Sequence, residues 1–181
     1  MIKVDLYKFD LTLRLFNRTL SELIYKPVSN KKNGLTNVQR NCLRFIYCHK
    51  NPSAKEVAEG LQISNAAVTK LIDRLEKKRL VVRKFSQNDR RQIILELTPE
   101  GLKIYEQERE SLLQSLQEII NRLDPETLKN LKQGIQGFLE AALVKKEDID
   151  RICLHCGWFH LPDCPGNLRY RSLTGEDKKE I

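Results

Sequence analysis

Residues 53–98 constrain this chain more than any other stretch. Ser53 with Glu56 forms a capping-box pattern that opens a short helix ending near Gly60. Gly60–Ser64 reads as a tight turn, with Ser64 as N-cap of a second helix over roughly 65–78. That second helix places Val68, Leu71, Ile72 and Leu75 on one side. From Leu80 the period changes. LVVRKF and RQIILEL are rich in strand formers, and the polar SQNDR between them suits a hairpin tip. Two short helices around a tight turn, followed by a hairpin, give a winged helix-turn-helix.

Helical segments flank this unit. Leu6, Phe9, Leu13, Phe16, Leu20, Leu23 and Ile24 recur at helical spacing before Pro27, and SNKKNG at 29–34 reads as a loop. Thr36 with Gln39 is another capping box, opening a helix to about His49 with Val38, Leu43, Phe45 and Ile46 as its apolar face. Asn51-Pro52 ends it. Beyond the hairpin, Thr98-Pro99 starts a long helix striped by Leu102, Tyr105, Leu112, Leu116, Ile119 and Leu123. Asp124-Pro125 starts another, with Leu128, Leu131, Ile135, Phe138, Leu139 and Ala142 inward. After about Lys145 no dependable periodicity remains.

Charge is unevenly distributed along the chain. Residues 64–98 hold nine Lys/Arg against four Asp/Glu, whereas residues 99–150 hold seven against eleven. A basic segment beside an acidic one points to a polyanion-binding face. No apolar run approaches the ~20 residues that span a bilayer. The charged N-terminus lacks a signal-peptide core, so a cytoplasmic protein without membrane contact is expected.

The outer face of the second helix carries Asn65, Ala66, Thr69, Lys70 and Arg74. Small residues near its start let the backbone approach a major-groove floor. Asn65 and Thr69 can bond base edges, and Lys70 and Arg74 can pair with phosphates. Arg90 and Arg91 at the hairpin tip can reach an adjacent minor groove, whose negative potential favours guanidinium.

With these residues in place, LTNVQRNCLRFIY, AKEVAEGLQISNAAVTKLIDRLEKKRLVVRK and NDRRQIILELTPEG together resemble the MarR family of transcriptional regulators. The resemblance covers roughly residues 3–144, and 56–101 carries most of its specificity. It implies a mainly α fold with a small β-wing, the winged helix-turn-helix being flanked by N- and C-terminal dimerisation helices. The implied division is 1–34, N-terminal dimerisation helix and loop; 35–98, winged helix-turn-helix DNA-binding domain; and 99–144, C-terminal dimerisation helices; outside the resemblance, 145–181 reads as a Cys/His-rich metal-binding tail. It also implies an ion pair between Asp89 and Arg91 at the wing tip, a minor-groove Arg, here Arg90, and double-stranded DNA bound by a homodimer. The operator would be a pseudo-palindrome with half-sites about one helical turn apart. Arg79 departs from the family, which has Gly at that position, and the turn into the first wing strand is expected to differ there. Some members sense peroxide through a cysteine in the first helix, but residues 1–41 contain none. Others bind small aromatic acids, and no residue here marks such an effector pocket.

Three of the five cysteines and two of the three histidines lie in CLHCGWFHLPDC, residues 153–164. Cys153, Cys156, His160 and Cys164 offer the soft and borderline donors that tetrahedral zinc prefers. An iron–sulfur cluster is the alternative, since Pro165 follows the last Cys as in ferredoxin-type motifs; His160, His155 or a group from elsewhere would supply its fourth ligand. A metal-free thiol pair at Cys153 and Cys156 and a disordered, unused tail are the remaining readings. Trp158, Phe159 and Leu161 argue against disorder. Cys42, among apolar neighbours, reads as a packed inert thiol, whereas Cys48-His49 could donate to a metal.

The function that follows is a dimeric regulator of transcription whose tail binds metal and reports metal or redox state. The alternative is a metal-dependent protein-interaction module built on the winged fold. No enzyme is expected, because Asp163 is the sole acid near the cluster.

Overall fold

The structure is a computed structural model, described over residues 5–25, 34–86, 91–156 and 161–178. Helix α1, Leu6–Thr19, starts at Asp5, whose side chain accepts the Lys8 N–H, and continues as π-helical backbone through Leu20–Tyr25. Helices α2 (Asn37–Cys48) and α3 (Ala54–Leu61) both begin at complete capping boxes, Thr36 with Gln39 and Ser53 with Glu56. Helix α4, Asn65–Lys77, starts at Ser64, whose hydroxyl accepts the Ala67 N–H. Strands β1 (Val81–Phe85) and β2 (Ile93–Leu97) pair antiparallel, Val81 opposite Leu97 and Phe85 opposite Ile93. Helix α5 spans Pro99–Ile120 and α6 spans Pro125–Ala142.

The core sits within α2–α4 and the wing. Cys42, Leu43, Phe45, Ile46, Val57, Val68, Ile72, Leu75, Leu80, Val81, Leu95 and Ile104 pack as one cluster. Each large side chain fully withdrawn from water contributes about 1.5–3 kcal/mol. The expected inward Val38 is instead 46% exposed. Its place is taken by Gln39 and Cys42, because the Gln39 side chain turns back to accept the Thr36 N–H and is buried by doing so.

Two glycines mark where backbones must touch. A Cβ on Gly60 would sit 1.8 Å from the Phe45 ring, and one on Gly101 would sit 2.1 Å from the Leu80 carbonyl oxygen. The second contact explains the glycine of LTPEG, where α5 starts against the turn leaving α4. Thr98 Oγ1 accepts the Gly101 N–H and donates to the Arg79 carbonyl at 2.7 Å, binding that turn from both sides. The turn itself keeps a glycine-type geometry despite Arg79. Arg79 adopts φ +59°, its N–H reaches the Glu76 carbonyl at 2.8 Å, and the Leu80 N–H reaches the Leu75 carbonyl at 3.0 Å. This is a Schellman ending with an arginine in the left-handed position.

The tail is more regular than its sequence suggests. Helix α7, Lys146–Cys156, and helix α8, Pro165–Thr174, pack on each other. Ile149 is buried, and Cys164 caps α8 with Pro165 at the first helical position. Periodicity is weak here because polar contacts hold the pair together. Asn167 is fully buried, its amide donating to the Pro162 carbonyl (2.9 Å) and to Asp177 (2.7 Å) while accepting the Lys178 N–H (2.8 Å). The tail also joins the other two parts of the chain. Arg169 donates to the Leu143 carbonyl at the end of α6 (2.7 Å), and His155 reaches α3.

Candidate nucleic-acid interface

Helix α4 is locked by its inner face and presents its outer one. Val68, Leu71, Ile72 and Leu75 are buried, whereas Asn65, Ala66, Thr69, Lys70 and Arg74 are all exposed. The period of 3.6 puts these two sets on opposite sides. The Thr69 hydroxyl donates to the Asn65 carbonyl at 3.0 Å, so its lone pairs are what it offers outward. Exposed Lys77, Lys78 and Arg79 extend the basic surface past the helix end.

The wing is fastened to α4 by a residue that sequence reading missed. Arg83 on β1 pairs with Asp73 at 2.8 Å and with Glu76, and its N–H donates to the same Glu76. Asp73 and Glu76 lie three apart on the helix, a spacing that signals a shared partner. Directly across the hairpin from Arg83, the return strand is tied to the α2–α3 corner, where the Leu95 N–H donates to the Pro52 carbonyl at 2.9 Å. Lys84 pairs with Glu96 across the strands. Arg91 is exposed at the start of the return strand. Asp89 and Arg90 lie outside the described residues, as does the expected Asp89–Arg91 pair.

The cysteines divide by environment. None is disulfide-bonded. Cys42 is fully buried, and burial pushes its thiol up to about 12, which fits an inert packed group. Cys48 lies 4.0 Å from the Tyr105 hydroxyl, and partial burial raises its pKa. The His49 ring stacks on Phe45 at 3.8 Å and bonds the Phe45 carbonyl through Nδ1, with burial pushing its pKa down. In the tail, Cys153 and Cys164 both border Gly166, while Cys156 is exposed at the end of α7. His160 lies outside the described residues. Among the described residues, no three His, Cys, Asp or Glu side chains are grouped closely enough to hold a metal ion.

His155, which the sequence offers only as a further ligand for a cluster, docks on the helix-turn-helix. Its Nδ1 donates to the Gly60 carbonyl at 3.0 Å, and its Nε2 accepts the Gln62 side-chain amide at 3.1 Å. Gln62 is the left-handed cap of α3, two residues before the cap of α4. Nothing local in the sequence announces a contact 95 residues long.

No helix among the described residues is long and apolar enough to cross a membrane. A sequence model of the MarR family matches residues 35–93. The chain is 37% identical over 87 residues to the HTH-type transcriptional repressor MdtR of Bacillus subtilis, covering 48% of this chain and 54% of that protein. It is 31% identical over 110 residues to the HTH-type transcriptional regulator FarR of Neisseria gonorrhoeae, covering 59% of this chain and 75% of that one. In fold it is similar to a mutant of Staphylococcus aureus MepR bound to an oligodeoxyribonucleotide, with TM-score 0.56 and 20% identity over 74% of this chain and 97% of that chain. The two sequence relatives are named as regulators of transcription, not as enzymes. A winged helix-turn-helix with this family match and these relatives belongs to the MarR family.

Proposed function

We propose that the chain is a homodimeric, sequence-specific DNA-binding regulator of transcription whose tail carries a metal. The observation that carries the DNA reading is the two-faced α4: four buried side chains fix its pose, and Asn65, Ala66, Thr69, Lys70 and Arg74 face outward. The bound oligodeoxyribonucleotide of the MepR neighbour supports the same use of the fold. Asn65 and Thr69 meet base edges, Lys70 and Arg74 meet phosphates, Arg91 shares the wing contacts, and Arg90 enters the minor groove.

Dimerisation is supported by what α1 and α6 leave uncovered. Neither helix buries a single residue, and Phe9, Leu13, Phe16, Leu131, Ile135 and Phe138 are each at least 38% exposed. Apolar stripes of that length fit a helical interface with a second copy. A two-fold dimer calls for a pseudo-palindromic operator. No observation favours the alternative of an interaction module that ignores DNA sequence.

The donor chemistry of the tail supports the metal reading of Cys153, Cys156, His160 and Cys164, zinc or iron–sulfur. Cys164 Sγ accepts the Asn167 N–H at 3.3 Å where it caps α8, so its sulfur is held at the junction of the two tail helices. A bound metal would supply cross-links between α7 and α8, and through them a report of metal or redox state to the helix-turn-helix that His155 touches.

Footprinting over the adjoining promoter and sedimentation of the protein test the DNA reading. A protected pseudo-palindrome is expected, bound by a dimer. Lys70→Ala with Arg74→Ala should weaken binding and reduce the slope of log affinity against log salt by roughly two phosphates' worth. Unchanged affinity and slope in that double variant would remove α4 as the reading helix.

A further inference from the structure

The winged module meets the helix that follows it along one seam. Gly101 of α5 abuts the Leu80 carbonyl, Arg40 on α2 pairs with Glu108 on α5 at 2.9 Å, and the Tyr47 and Tyr105 rings meet at 4.3 Å. These contacts run from α2 and the α4–β1 turn to the first half of α5. The α3–α4 turn takes no part in them. A rigid body held along one seam can rock about it.

The tail supplies a second attachment, at that turn. Helix α7 packs on α3, and Leu154 lies against the module's core, as do Leu61 and Ile63 of the turn itself. His155 Nδ1 donates to the Gly60 carbonyl at 3.0 Å, and Nε2 accepts the Gln62 amide at 3.1 Å. Gln62 stands at φ +54°, a left-handed position that costs a side chain other than glycine, and His155 holds it there. Ser64, two residues on, caps α4, so the hold falls where the outward-facing helix begins.

From α7 the contacts continue to the end of α6. Asp150 on α7 pairs with Lys178, whose N–H donates to the side-chain oxygen of buried Asn167 on α8 at 2.8 Å. Two residues after Asn167, Arg169 Nε donates to the carbonyl of Leu143, the C-cap of α6, at 2.7 Å. Helix α8 packs on α6, and Leu143 and Ile149 are buried along this path.

We propose that His155 is a positioning residue for DNA reading: through it α7 and α8 form a strut, anchored by Arg169, that fixes the pose of α4 against α6. It rests on the reading of the chain as a dimer that binds DNA through α4, and it needs no metal. In a two-fold dimer, the angle of each module against the dimerisation helices sets the separation of the two α4 helices. That separation selects the half-site spacing. His155 acts without touching DNA, so it governs which spacings bind and leaves the phosphate contacts alone. A strut fails when cut at either end, so His155 and Arg169 act as one unit although they hold different parts of the chain.

The test titrates the full chain by fluorescence anisotropy against the palindrome found by footprinting. Comparison duplexes have its centre lengthened or shortened by one base pair, and an unrelated duplex of equal length is included. His155→Ala, Arg169→Ala and the two combined are compared with wild type, using circular dichroism melts to establish folding. Gln62→Ala, which keeps the Gly60 bond, replaces His155→Ala should that variant unfold. Wild type should prefer the native spacing, and each single variant should lower that preference at least about fivefold. Salt slope and affinity for the unrelated duplex should hold. The combined variant should lose no more than the larger single loss, because residues acting through one element do not add. Full spacing preference in folded single variants, losses that add, or equal weakening on every duplex would overturn the strut. A wild type that protects a palindrome yet binds all spacings alike would overturn it too. A wild type that protects no palindrome would overturn the DNA reading beneath it.

Discussion

The winged module and the tail are both built on short helices packed against each other, yet they are held by different forces. The module encloses more than ten apolar side chains, among them Val68, Ile72, Leu75 and Leu95 at no more than 1% exposure. Between α7 and α8 the fully buried side chains are Ile149 and Asn167. Around Asn167 the contacts are hydrogen bonds and ion pairs: Pro162, Asp177, Lys178, then Arg171 with Asp177 and Lys178 with Asp150. Hydrophobic burial is non-directional and tolerates small shifts of its partners, whereas a buried polar network is worth much when complete and costs when broken. The module is therefore built to stay, and the tail to respond.

The sharpest way to break this comparison is to remove one core residue from the module. Ile72 is fully buried on α4 beneath the outward face. Ile72→Ala should cost about 2–5 kcal/mol in urea denaturation and abolish DNA binding with it. A loss near zero would mean that the module is not the rigid part of the molecule.

The corresponding change in the tail should be smaller and local. Asn167→Ala strands the buried Lys178 N–H, at about 1–3 kcal/mol, while the Pro162 carbonyl keeps only its longer bond from Arg171. Hydrogen exchange should quicken in α7 and α8 while α2–α4 keep their protection. Equal loss across the chain would show instead that tail and module unfold as one unit.

This division also decides what could be read in advance. Where burial dominates, periodicity and caps announce it: Ser53, Ser64 and Thr98 cap the helices expected of them, and Val68, Leu71, Ile72 and Leu75 face the core. The small errors within the module fall where polar groups intervene, as with Gln39 displacing Val38 from the buried face. In the tail, α7 and α8 went unread because their stability comes from Asn167, Lys178 and His155, whose partners are distant in sequence or on the backbone. Long-range polar contacts leave no period. The outward residues of α4 were legible because one helical face was already assigned, whereas the Arg83 clamp and the His155 contact needed coordinates.

The smallest expected effect sharpens the comparison at helix ends. Helix α8 stops at Gly175 with φ +79°, the residue type that adopts this conformation without cost, whereas α4 stops at Arg79 with φ +59°. A side chain in the left-handed region costs roughly 1–2 kcal/mol, so Arg79→Gly should raise the module's stability by about 1 kcal/mol after allowing for the looser unfolded chain. The two hydrogen bonds of the turn need only backbone and would persist. The strained arginine therefore weakens the most stable part of the chain, and its cation lies on the surface just past the outward face of α4. If that cation meets a phosphate, Arg79→Gly trades affinity for stability, and the salt slope of DNA binding falls by about one. Higher stability with an unchanged slope would assign Arg79 no contact with DNA and leave its strain without a functional return.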